Sequence, residues 1–152
     1  MNNRVTFYIS AVSLSVFCAL LFSMKSAEKV APAERKIENA AYQSGEILNY
    51  RIHYGIINAG LVNMTVSEPL TINNKSAYNL KVEGETLKSF DWAYKVRDKF
   101  ESWVDGESQA PIRYAKTVRE NAYFNQDIAI YNHSEKWLKN KQGQLTIPQY
   151  TQ

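Results

Sequence analysis

The side chains of this 152-residue sequence that could do chemistry are two histidines, four carboxylates on or beside one strand pattern, a few serines and three tryptophans. His53 and His133 are the only histidines. They form no His-x-His or His-Glu-x-x-His spacing, so the usual zinc geometry is missing and no metal is expected. Asp98, Glu101, Asp105 and Glu120 would serve a hydrolase if two of them converged, as paired carboxylates do in acid–base catalysis. Asp98 is the most informative of the four. Alternation places it between Val96 and Phe100 on an apolar face, and a carboxylate there needs a partner. Lys116, on the apolar face of the following strand, is the candidate, so a structural Asp98–Lys116 polar pair is expected rather than a general acid. Ser44, Ser89 and Ser102 lack a G-x-S-x-G setting. Gly45, Gly55, Gly60 and Gly84 form no phosphate loop. Trp92, Trp103 and Trp137 could stack a sugar or grip a lipid, or simply pack at a core or sheet edge. The expectation is therefore no catalytic residue, no metal and no cofactor.

The elements that would position these residues begin after a leader. Arg4 precedes twenty uncharged residues, Val5 to Met24, and Lys25 ends the run. A basic start followed by an apolar stretch is the layout of a secretory signal, and this length also suits a bilayer span. Residues 1–27 are therefore expected to be an N-terminal hydrophobic helix, either a cleaved signal or a retained anchor touching the membrane through residues 5–24. Cys18 is the only cysteine and follows Phe17, not a small residue, so lipidation is not expected. The remainder has no thiol for a disulfide or a metal site. The chain carries 18 Lys+Arg against 15 Asp+Glu, and Arg4 and Lys25 belong to the leader, so the remainder is nearly neutral. Without clustered cations, nucleic acid is not an expected partner.

Residues 28–44 read as a charged, Ala-rich tether, with room for about two helical turns over Glu34–Ala41. From Glu46 the apolar period becomes two, the signature of half-buried strands. Leu48, Tyr50, Ile52 and Tyr54 share one face, opposite Asn49, Arg51 and His53. Asn58-Ala59-Gly60 is expected to turn the chain into a strand carrying Val62, Met64 and Val66 inward. Further strands are expected through Tyr78–Val82, Tyr94–Val104, Ile112–Val118 and Phe124–Asn132. Turns are expected at Asn73–Lys75, Asp105-Gly106 and Glu120–Ala122, with a helical turn or packed loop over 86–93. Residues 45–152 thus predict a mainly β domain: an antiparallel, strongly curved sheet or partial barrel, its apolar wall against a dry interior.

The stretch S-G-E-I-L-N-Y-R-I-H-Y-G at 44–55, with I-N-A-G at 57–60, begins an ordered set of motifs. V-R-D-K-F-E-S-W-V-D at 96–105, P-I-R-Y at 111–114 and R-E-N-A-Y at 119–123 continue it. From about residue 44 to the end the chain resembles an exported Gram-negative bacterial family known as domain-of-unknown-function family 3108. The resemblance implies a secreted or periplasmic, curved all-β domain with no assigned chemistry. It also implies that the segment at 147–152 leads into further strands, so that the domain is incomplete at its C-terminal end.

Together these readings predict a non-catalytic envelope module. Its expected ligand residues are Tyr50, Tyr54, Tyr78, Tyr94, Tyr114 and Trp92, facing a lipid or glycan. The alternative is an assembly partner that binds an envelope protein through a sheet edge. A hydrolase built on Asp98 and Glu120 ranks last.

Overall fold

A computed structural model describes residues 35–151. The expected N-terminal helix and residues 5–24 lie outside that range. Among the described residues no helix is long and apolar enough to cross a membrane.

Nine antiparallel strands form one sheet: β1 (Ile47–Tyr54), β2 (Ile57–Val66), β3 (Leu70–Ile72), β4 (Lys75–Thr86), β5 (Arg97–Asp105), β6 (Pro111–Glu120), β7 (Tyr123–Asn132), β8 (Trp137–Asn140) and β9 (Gly143–Thr146). Neighbours in space run β1-β2-β4-β5-β6-β7-β8-β9, with β3 continuing the β2 side of β4. This is a meander, the arrangement that short turns between period-two segments favour. β1 and β9 are both free edges, so the described residues form an open sheet, not a closed barrel.

Register carries the apolar wall from strand to strand. Leu48 lies opposite Met64, Met64 opposite Val82, and Val82 opposite Phe100. Val66, Leu80, Ser102, Tyr114 and Ala129 form a second row in the same way. The expected dry interior is not enclosed among the described residues. Among the described residues the buried apolar side chains are small or medium, Ala77, Val104, Ala110, Pro111 and Ala129, while Leu48, Tyr50, Ile52 and Met64 stay exposed. One layer has nothing to pack its face against, and a lone sheet buries little.

Several elements depart from expectation. The turn expected at Asn58–Gly60 lies at Gly55-Ile56, where Gly55 takes the positive φ that a two-residue hairpin needs at its first central position. Asn58–Gly60 belong to β2, and the register slips between Ile52 and His53, so a bulge absorbs one residue. The Asn73-Asn74 turn forms as expected, both residues at positive φ, but it joins β4 to β3, a short strand that the pattern does not signal. The stretch over 86–93 contains a 3-10 turn at Lys88–Phe90. The β8–β9 hairpin is also unsignalled, because a mostly polar sequence hides its pairing. Residues 35–41 are not helical. Backbone contacts tether this segment instead: Ile37 N–H donates to Glu107 O at 2.8 Å, and Arg35 N–H donates to the Tyr150 hydroxyl at 2.8 Å.

Candidate functional site

An open, largely apolar hollow lies on the apolar face where β5, β6 and β7 run side by side. Its volume is about 460 Å³, and it is lined by Ser102, Val104, Gln109, Pro111, Tyr114 and Tyr131. Local sequence explains the shape. Tyr114 stands between Ser102 on β5 and Ala129 on β7, two small side chains that leave space beside the ring. A register slip between Trp103 and Val104 re-aims the end of β5. Val104 and Pro111 then face each other as an apolar floor. The β5–β6 turn lifts Gln109, at positive φ, to the rim. There Tyr42 donates its hydroxyl to Gln109 Oε1, and its ring meets Tyr78 edge-on at 5.9 Å.

Asp105 organises that turn. Asp105 Oδ1 accepts the Glu107 N–H at 3.1 Å, the Ser108 N–H at 2.7 Å and the Ser108 hydroxyl at 2.8 Å. Asp105 and Ser108 are only 8% and 4% exposed. Burial alone would raise the Asp105 carboxyl; the Ser108 and Glu107 hydrogen bonds, with the nearby Lys75 charge, outweigh it and hold the carboxyl below the usual range.

The phenols around the hollow are shifted the other way. Burial raises Tyr114, helped by Tyr131 and by the Asp127 charge, and burial raises Tyr131 as well. Burial also raises Tyr42, reinforced by Tyr78 and opposed by the Gln109 hydrogen bond. All three therefore stay neutral at physiological pH. The lining is apolar with a few uncharged hydrogen-bonding atoms, which suits an acyl chain or a sugar face better than an ion. Behind it, His133 stacks between the Tyr131 and Tyr150 rings at 5.8 and 5.9 Å, and its Nε2 contacts Pro111 O at 2.7 Å. Its Nδ1 is buried without a hydrogen-bond partner.

The six expected ligand residues do not converge. Tyr114 lines the hollow, and Tyr78, opposite Val104, borders it. Tyr50 lines a separate groove of about 400 Å³ with Gly84 and Asp98. Tyr94 and Trp92 lie near the opposite end of the strands; Tyr94 donates its hydroxyl to Glu120 Oε2 at 2.7 Å. Tyr54 closes β1, and only its backbone is described. Sequence reasoning missed Tyr42, Gln109, Pro111 and Tyr131. Tyr131 had a signal, since alternation from Ala129 places it on the Tyr114 face. Gln109 had none, because a turn has no period.

The expected Asp98–Lys116 pair does not form. Register sets Lys116 opposite Phe100 and Asp127, one rung from Asp98. Asp98 Oδ1 instead accepts the Arg119 N–H at 2.9 Å. A backbone donor satisfies the carboxylate without immobilising a long side chain. Among the described residues no serine hydroxyl bonds to a histidine, and no three His, Cys, Asp or Glu side chains are grouped to hold a metal.

The ordered motifs, the meander and this face now stand together with one comparison. The family model described as Protein of unknown function (DUF3108) matches residues 49–152. The chain belongs to this family. All nine strands of this DUF3108 chain except the first residues of β1 fall within the match. No curated protein and no solved structure matches it.

Proposed function

We propose that this chain is an exported, non-catalytic envelope module that holds a hydrophobic ligand, an acyl chain first and a glycan face second, on its apolar sheet face. The hollow beside Tyr114 and Tyr131 carries the reading. Neutral phenols, Val104 and Pro111 offer apolar surface, while Ser102 and Gln109 supply the few polar atoms that orient a ligand. The bulges at Ile52/His53 and Trp103/Val104 support a strongly curved, partial-barrel form around that face.

Native mass spectrometry of the full chain is the direct test, with acyl-lipid masses expected on the purified protein. Ser102→Leu fills the hollow from β5. It should weaken binding of a fluorescent fatty acid about tenfold, the equivalent of 1.4 kcal/mol, and leave the denaturation midpoint nearly unchanged. Unaltered affinity in this variant would overturn the site. A co-purified polypeptide in the same spectra, with no lipid, would favour the second reading, assembly through the β1 edge, where Ile47, Leu48, Tyr50 and Ile52 are exposed on a strand paired on one side only.

The basic start and apolar run of residues 1–27 support export. Cell fractionation should recover the full chain in the periplasmic or membrane fraction, open to protease added to spheroplasts. Intact recovery from the cytosol would end the envelope assignment.

A further inference from the structure

The end of the sheet away from the hollow carries a second surface, independent of the ligand reading. Three loops meet there: the Gly55-Ile56 turn, residues 87–96 between β4 and β5, and the Asn121-Ala122 turn. Backbone contacts lace them together. Leu87 N–H donates to Ala59 O at 2.9 Å, Asn121 N–H donates to Lys95 O at 2.8 Å, and Lys95 N–H donates to Asn121 Oδ1 at 2.8 Å.

Large apolar side chains at and beside the tips of these loops are left exposed. Ile56 is 100% exposed and Trp92 is 85% exposed. Tyr123 and Phe124, just past the third turn, are exposed as well. A two-residue hairpin turn favours Gly, Asn or Ser at its centre, so a bare isoleucine there has no conformational reason. A tryptophan in open water leaves its whole apolar surface hydrated.

The charges at this end are unequal in their commitments. Its acids are engaged: Asp91 with Arg97 at 2.8 Å, Glu85 with Arg97 at 3.4 Å, and Glu120 with the Tyr94 hydroxyl at 2.7 Å. Lys88 and Lys95 are exposed, and neither forms an ion pair within 4 Å among the described residues. Lys141 Nζ rests on the neutral Asn125 Oδ1 at 2.9 Å. Exposed apolar side chains on three different turns, with Lys88 and Lys95 exposed in the same loop region, match a bilayer interface, where aromatics settle at headgroup depth and cations meet anionic lipid. A protein partner would call for one continuous apolar patch.

We propose that this loop end docks on an anionic phospholipid bilayer, with Ile56 and Trp92 entering the interface and Lys88 and Lys95 meeting the headgroups. The test uses the full chain in vesicles of phosphatidylcholine with and without phosphatidylglycerol, the acyl chains brominated. The emission difference between wild-type and Trp92→Phe isolates Trp92 whatever the leader does. Trp92 emission should shift to the blue and be quenched in the anionic vesicles. The charge removals K88Q and K95Q should each weaken partitioning into the anionic vesicles, read from that quenching, about fivefold, and Ile56→Ser should weaken it further. Circular dichroism of these exposed-site variants checks that the sheet is intact. Unquenched Trp92 in both vesicle types overturns the proposal, as does equal quenching in neutral and anionic vesicles.

Discussion

Asp105→Ala should cost about 2–4 kcal/mol of folding stability, read as a lowered urea midpoint with an unchanged slope. The carboxylate is buried at the end of β5, and one of its oxygens satisfies three donors. Alanine strands all three, and the Ser108 N–H and hydroxyl are too enclosed to turn to water. Asn is the informative control, because it keeps an acceptor oxygen and loses the charge. It should cost about half as much, since charge-assisted hydrogen bonds are roughly twice as strong as neutral ones.

The same group predicts an acid limb. The folded Asp105 carboxyl lies below its ordinary value, so the unfolded chain takes up the proton first. Its stabilisation is full above the unfolded pKa of about 3.9 and is lost as pH falls through the folded value. Wild-type stability should therefore decline below about pH 4 more steeply than that of the Asn variant. Parallel acid limbs in the two proteins would remove Asp105 as the cause. The consequence reaches the hollow, because the turn held by Asp105 presents Gln109 to Tyr42.

Gly60→Ala should cost about 1–3 kcal/mol, the range for overpacking. A Cβ at Gly60 would lie 2.8 Å from the backbone oxygen of Glu85 on β4. That oxygen belongs to a paired strand and cannot swing aside like a flexible side-chain end. Relief must come from spreading β2 from β4, next to the bulge that sets the register of β1. Gly84→Ala provides the contrast. A Cβ there meets nothing within 4 Å and needs no positive φ, so Ala should be neutral or stabilise by up to about 1 kcal/mol by restricting the unfolded chain. Two glycines on facing strands, Gly84 opposite Val62 and Gly60 opposite Thr86, thus differ through what lies above each α-carbon. Equal urea midpoints for the two variants would contradict the close approach at Gly60.

Sequence by itself determined the local facts. Period-two alternation from Glu46 onward assigned the apolar face of each main strand, because a pleated chain sends successive side chains to opposite sides whatever lies next to it. Register then aligned those faces as alternation implied, from Leu48 through Phe100. Asp105-Gly106 and Asn73-Asn74 turned where their residue types allow tight or left-handed backbone. The ordered motifs pointed to the family that residues 49–152 match.

Tertiary structure decided whatever depends on a neighbour. The Gly60 turn signal turned out to be close packing against Glu85, which composition alone cannot distinguish from a left-handed turn. Lys116 missed Asp98 by one rung, because facing parity does not specify register. Tyr42 and Gln109 came together from segments 67 positions apart, a contact no local period encodes. The sheet stayed open because closure depends on which edges meet, a property of the whole chain and not of any one strand.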